Sequence, residues 1–191
     1  DAGVPSEAAM LRVTTVPTSF LDTLSRALAQ RQRETCHIDG SAPAAVLVPL
    51  VRRDDQYALL FTERTHELPS HPGQISFPGG KVDPSDGGFA AAALREAHEE
   101  VGIERSSVRV LGMLDVVPTP SGFVITPVVG VIDPAPHAYA TSAAEVAHAF
   151  EVSLATLRHP DTMHTRGDVK WRGRTYTMWE YHVKERRIWG A

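Results

Sequence analysis

The residues most able to do chemistry lie in one short run, Arg95-Glu96-Ala97-His98-Glu99-Glu100-Val101-Gly102-Ile103, fifteen positions after the glycine pair Gly79-Gly80. Residues three and four apart are neighbours on a helix, so Glu96, Glu99 and Glu100 fall on one side of it. Like charges at that spacing repel, and a cation between them removes the repulsion. Carboxylate oxygens suit a hard divalent ion such as Mg²⁺ or Mn²⁺. Glycines upstream let the backbone come close to such an ion and its ligands. An ion held this way activates water for attack on a phosphate ester or anhydride. The competing view is a solvated acidic helix face, the usual state of a Glu-rich stretch. With each fixed residue at roughly one in twenty, R-E-x-x-E-E-x-G arises by chance on the order of once per million positions. The bland view therefore loses.

Gly80 through Ile103 resembles the Nudix box, G-x5-E-x7-R-E-U-x-E-E-x-G-U, where U is a bulky aliphatic residue. Gly80, Arg95, Glu96, Glu99, Glu100, Gly102 and Ile103 match it. Three features depart from it. Asp86 stands as the upstream acid with Asp83 as the alternative, eight residues separate Asp86 from Arg95, and Ala97 replaces a larger aliphatic. Leu59-Leu60-Phe61-Thr62-Glu63-Arg64 and His71-Pro72-Gly73-Gln74-Ile75-Ser76-Phe77-Pro78-Gly79-Gly80 resemble the extra signature of the coenzyme A diphosphatase branch. Pro118-Thr119-Pro120-Ser121-Gly122-Phe123 resembles the loop that follows the box in that branch. The similarity runs from about Ala45 to Trp189.

The resemblance implies an α/β/α sandwich with a mixed β-sheet and a loop-helix-loop motif. It implies metal-dependent cleavage of coenzyme A, or an acyl derivative, into 4′-phosphopantetheine and adenosine 3′,5′-bisphosphate. The alternatives are another nucleoside diphosphate derivative, such as ADP-ribose or a nucleoside triphosphate, or a non-catalytic module on the same fold. Glu96, Glu99, Glu100 and the carbonyl of Gly80 are the implied ligands of Mg²⁺ or Mn²⁺. Glu96 and Glu100, at i and i+4, form the stronger pair. Arg95 is implied to orient a box glutamate; otherwise it is a surface partner of Glu99. Glu145 is the candidate general base, or else an ordinary carboxylate at a helix start. Arg64, His71, Gly73, Lys81 and Ser121 are the candidate substrate contacts. Arg172, Arg174, Lys184, Arg186 and Arg187 offer further countercharge for phosphate. The implied continuation of Ile188-Trp189-Gly190 is a final helix.

A chain of 191 residues fits one domain, with residues 1–40 as a helical N-terminal extension and 41–191 as the core. The net charge of −4 excludes a broad nucleic-acid footprint. No run approaches the length of a membrane-spanning helix. Cys36 is the only cysteine, so no intrachain disulfide forms, consistent with a reducing, cytoplasmic setting. No secretory leader opens the chain and no S-K-L closes it. The histidines lack zinc-protease spacing, since Gly102 stands where H-E-x-x-H needs a second histidine. There is no phosphate-binding G-x4-G-K-[ST] either. Nothing in the sequence speaks to oligomeric state.

These residues need elements to hold them. Phe20, Leu21, Leu24 and Leu28 predict a helix over 18–34, capped by Thr18 or Ser19. Residues 44–52, 57–64, 74–77, 108–117 and 123–132 read as strands. Pro49 argues for a sheet edge or a bulge. The box helix is expected over 88–101, with Leu94, Ala97, His98 and Val101 on its core stripe, the glutamates on another face and Gly102 ending it. Residues 143–148 begin a helix or turn, and Arg172-Gly173 turns a hairpin. A mixed sheet with helices on both faces, an α/β (α+β) architecture, follows.

Overall fold

The computed structural model describes residues 19–68, 71–136, 138–171 and 173–190, without the Arg174 side chain. Its frame is a mixed sheet built around β1 (Ala42–Arg53), which runs parallel to β7 (Phe123–Ile132) and antiparallel to its other neighbours. Beyond β1 on one side lie β2 (Gln56–Arg64) and β3 (Ile75–Ser76). On the other, β7 is followed by β5 (Val108–Met113). Three strands leave this path: β4 (Gly79–Lys81) pairs β1, β6 (Val117–Pro118) pairs β7, and β8 (Val146–Ser153) pairs β2. A separate antiparallel sheet holds β9 (Met163–Trp171), β10 (Arg174–Val183) and β11 (Arg186–Trp189).

Helices cover both faces because adjacent sheet residues point opposite ways. Ala45, Leu47 and Val128 pack against Ala92, Ala93 and Ala97 of α2 (Phe89–Val101). Leu50, Val129 and Val131 pack against Leu28 of α1 (Phe20–Gln30). The alanines matter: with no bulk beyond Cβ, they let α2 settle close onto β1 and β4. A one-turn helix, α3 (Leu154–Leu157), follows β8, with Ser153 capping it through Thr156 N–H. No helix among the described residues is long and apolar enough to cross a membrane.

Several expectations need correction. The first helix stops at Gln30, not Glu34. The cause is Asp115, which pairs with Arg31 and accepts the Glu34 N–H at 2.7 Å, drawing residues 31–34 into an extended path. Ser19 supplies the cap, accepting the Asp22 N–H, while Thr18 lies outside the described residues. Asp115 also falls where the expected 108–117 strand breaks into β5 and β6. Pro49 is fully buried in a central strand, at neither an edge nor a bulge. It sits where β1 changes antiparallel partner, from β4 at Ala44–Val46 to β2 at Leu50–Arg53. His98 is exposed, and Glu100 takes the place on the buried stripe with Ala93, Ala97 and Val101. Residues 143–145 form a turn, and the segment from Val146 is strand β8. Ile188 and Trp189 lie in β11, and the continuation after Gly190 lies outside the described residues. The β9–β10 hairpin forms as expected, with Arg172 outside the described residues.

Leu47 is fully buried at the β1–α2 contact. Leu47→Ala should cost about 2–5 kcal/mol of unfolding free energy. A lowered urea midpoint at unchanged denaturant slope is the expected readout.

Candidate metal and phosphate site

The site lies where β4 passes under α2. Gly79 and Gly80 are held against β1 by pairing with Val46 and Ala45. That closeness has steric consequences. A Cβ on Gly79 would lie 2.4 Å from the Ala45 carbonyl oxygen. A Cβ on Gly80 would lie 2.5 Å from Glu96 Oε1 and 2.8 Å from Oε2. The Glu96 carboxylate therefore occupies the space that any other residue at position 80 would fill. Glu100, one turn on, accepts the Gly79 N–H at 3.3 Å.

Arg95 is the hub of the charges. Its Nε and Nη2 donate to the two oxygens of Asp86, at 3.1 and 3.0 Å. Nη1 donates to Glu96 Oε1 and Glu99 Oε2, both at 3.0 Å, and Nη2 also donates to the Lys81 carbonyl at 3.0 Å. A planar guanidinium suits this many oxygens because its five N–H donors are fixed in a fork. Asp86 is thus the upstream acid that faces Arg95. Asp83 instead caps its own turn, accepting from Ser85 N–H and Oγ–H at 2.8 and 2.6 Å. The Arg95 guanidinium holds the Asp86 carboxyl below the usual carboxylate range.

The glutamates differ in environment. Glu99 is exposed and tied to Arg95. Glu96 is half-buried; burial raises its pKa, with Arg95 opposing and the charges of Glu99 and Glu145 adding. Glu100 is 5% exposed. Burial pushes its pKa up to about 8, the Gly79 N–H and Arg64 oppose, and the charges of Glu96 and Glu145 add. Among the described residues, no three acidic, histidine or cysteine side chains converge as a ready-made cage. The donors nonetheless fit a hard cation. Glu96 and Glu100 are neighbouring carboxylates, one stacked on a glycine and the other buried without a cationic hydrogen-bond partner. Both gain from a positive charge placed between them.

The other candidates fall around this core. Arg64 ends β2 at a bulge opposite β8 and faces Glu100 closely enough to oppose its neutralisation. Its Nε is buried without a hydrogen-bond partner. Glu145 is the exposed turn residue just before β8, so it is not at a helix start; its carbonyl accepts the Thr65 N–H, which places it beside the end of β2. Lys81 extends its ammonium over the Phe123 ring, 5.7 Å from the centroid. Ser121 lies in the β6–β7 loop, bonded to Thr119 Oγ1 at 3.0 Å. His71 and Gly73 shape the loop before β3. His71 has φ 53° and accepts the Gln74 N–H through its carbonyl. Gly73 has φ 67°, and a Cβ there would meet the His66 ring at 2.6 Å. Arg187 is engaged with Glu180, and Arg186 lies over Phe150.

Sequence reasoning missed the anchors of the segment that carries Glu145. Tyr139 OH donates to Glu151 Oε1, and Arg53 donates to both Glu151 oxygens, at 2.6 and 3.0 Å. Arg53 also donates to the Pro136 carbonyl at 2.7 Å. Ala140 seats on Gly102, and Ser142 N–H donates to the Glu100 carbonyl at 3.0 Å. No spacing rule links these residues, which lie in four separate stretches of chain.

A profile of the NUDIX domain matches residues 41–172. The protein called uncharacterized Nudix hydrolase NudL in Enterobacter sp. (strain 638) is 42% identical over 169 residues, covering 88% of this chain and 86% of that protein. Its namesake in Klebsiella pneumoniae (strain 342) is 44% identical over 174 residues, with the same coverage. Among solved structures, the Nudix hydrolase RenU of M. Smegmatis superimposes with a TM-score of 0.52 at 22% identity, covering 64% of this chain and 80% of that one. This last likeness is one of fold.

Two outcomes test the site. Between the ordinary glutamate pKa of 4.5 and about 8, folded Glu100 holds a proton that the unfolded chain has released. Metal-free stability should therefore fall as pH rises through that window, by at most about 1.4 kcal/mol per pH unit. Glu100→Gln, which cannot ionise, should flatten that slope in thermal melts and raise the melting temperature near pH 8. Gly80→Ala places a methyl where the Glu96 carboxylate lies. It should weaken Mn²⁺ binding by calorimetry roughly tenfold or more, the usual scale for a disturbed ligand shell, while the far-ultraviolet circular dichroism stays unchanged.

Proposed function

The chain belongs to the Nudix hydrolase family, whose members cleave diphosphate linkages, and we propose that its own substrate is coenzyme A or an acyl derivative of it. The observation that carries the catalytic part is the Glu96–Glu100 pair seated on Gly79-Gly80, with Glu100 buried and short of a countercharge. Glu96, Glu100 and the Gly80 carbonyl would hold Mg²⁺ or Mn²⁺, with Glu99 completing the set from the exposed side. A divalent ion there supplies charge neutralisation for the diphosphate and a lowered pKa for a bound water.

The residues do the rest. Arg95 holds Glu96 and Glu99 in place and is itself held by Asp86 and the Lys81 carbonyl. Arg64, whose charge acts on Glu100 from the end of β2, would bind a diphosphate oxygen, for which a guanidinium is suited. Glu145 is the candidate to take the proton from the attacking water. One P–O bond forms to the water oxygen, the bridging P–O bond breaks, and the released phosphate carries off the charge. The substrate choice rests on Leu59–Arg64 and His71–Gly80, which resemble the coenzyme A diphosphatase signature. In the fold these two stretches are neighbours: β3 pairs with β2, and Arg64 N–H donates to the Gln74 carbonyl.

The test is product identification by mass spectrometry. Coenzyme A, ADP-ribose and a nucleoside triphosphate are each incubated with the protein and Mg²⁺ or Mn²⁺, with Glu100→Gln as control. The expected result is 4′-phosphopantetheine plus adenosine 3′,5′-bisphosphate, formed only with metal and with Glu100 intact. Turnover confined to ADP-ribose or the triphosphate would keep the metal site and reject the substrate.

A further inference from the structure

A second concavity, of about 740 Å³, lies away from the acids. One wall is the extended segment that follows α1, including Arg33, Cys36 and Ile38; another is β6 with Val116 before it and Pro118 within it. The third is the tip of the β9–β10 hairpin, where Trp171 and Tyr176 meet edge to face with centroids 6.2 Å apart. The volume falls within the range of small-molecule sites, and the lining mixes apolar and aromatic walls with a few polar groups, as such sites do.

Its position relative to the catalytic acids follows from strand register. Lys81 pairs with Ala44, Ala44 with Ile125, and Ile125 with Val117. Three inter-strand steps separate β4 from β6, about 14 Å across the sheet. The β6–β7 loop closes the interval, because it leaves from Pro118 and returns at Phe123, whose ring lies under the Lys81 ammonium. The path from β4 to the concavity therefore runs past Lys81 and Phe123, the route open to an arm leaving a diphosphate held beside Gly79-Gly80.

Charge narrows the occupant. Among the described residues of the lining, Arg33 and Glu34 are the charged ones and cancel each other. A nucleoside bisphosphate would bring multiple negative charges to a lining whose described side chains carry no net positive charge. An uncharged chain of amides ending in a sulfur meets no such penalty. Its amides can use the polar rim, and its apolar links can lie on Trp171, Tyr176 and Pro118. Such an arm is comparable in length to four or five extended residues, about 15 Å, which matches the interval.

We propose that the groove between the post-α1 segment, β6 and the β9–β10 hairpin tip binds the pantetheine arm and thioester end of the substrate, and so sets the acyl preference of the enzyme. This rests on the coenzyme A reading above and adds a subsite to it.

The one cysteine provides a readout independent of turnover. Cys36 is exposed and lines the groove. In metal-free protein, acetyl-coenzyme A should slow modification of Cys36 by a thiol-directed reagent, whereas ADP-ribose and adenosine 3′,5′-bisphosphate should not. Trp171→Ala should weaken that protection by up to roughly tenfold, the scale of one lost aromatic contact. Thr35→Trp, a bulky residue placed in the groove from an exposed position, should abolish it if removal of Trp171 harms folding. Equal protection by the bisphosphate would assign the groove to the nucleotide end and overturn the proposal. So would absence of protection by acetyl-coenzyme A. If acetyl-coenzyme A is hydrolysed yet Cys36 stays unprotected, the groove alone fails. If it protects Cys36 but is not hydrolysed, the catalytic reading fails and the groove stands.

Discussion

The contact on which the rest depends is the approach of the Gly79-Gly80 backbone to two carboxylates. It needs three things at once: no side chain on β4, a helix packed tightly on the sheet, and the correct helical phase. Pairing of β4 with Ala45 and Val46 removes all room for a Cβ at Gly79. Ala92, Ala93 and Ala97 let α2 come down onto β1. The phase of α2 then delivers Glu96 onto Gly80 and Glu100 onto the Gly79 amide. A larger residue at any of these positions would lift the acids off the strand.

The charge arrangement then has a clear logic. Arg95 satisfies the outer acids, Asp86 and Glu99, and shares itself with Glu96. Glu100 is left with one backbone donor in a place that disfavours its charge. A buried carboxylate short of partners is a cost to folding. Proteins carry such costs where they serve a site. Here burial and the charges of Glu96 and Glu145 disfavour ionisation of Glu100, and a divalent cation bound beside it would reverse that balance. Arg53, Glu151 and Tyr139 bond to one another, and Arg53 to the Pro136 carbonyl, anchoring Pro136 and Tyr139 ahead of the turn that carries Glu145.

The sheet solves a separate problem, namely how one strand serves both the site and the core. β1 supports β4 with its first half and β2 with its second. Pro49 sits at the handover, where the missing N–H does least harm to the antiparallel ladders. The two stretches resembling the coenzyme A signature meet through this arrangement, since β2 carries Arg64 and the chain returns through β3 into β4.

Local patterns determined much of this protein from sequence alone. The acidic helix, its end at Gly102 with φ 70°, strand β7 and the β9–β10 hairpin all follow from periodicity and turn chemistry, which act over a few residues. The acids, the glycine pair and Arg95 were legible because their spacing is itself local. Tertiary structure decided what spacing could not. It put Glu100 on the core face and His98 outside, because α2 rotates to seat its alanines on β1, and not to bury its most apolar arc. It chose Asp86 over Asp83 through contact with Arg95, turned residues 146–153 into a strand beside β2, and broke α1 and the 108–117 segment through Asp115. These outcomes depend on partners as far apart in the chain as Ala58 and Ser153, or Arg31 and Asp115. Such contacts exist only once the chain has closed on itself, and no window of local sequence contains both partners.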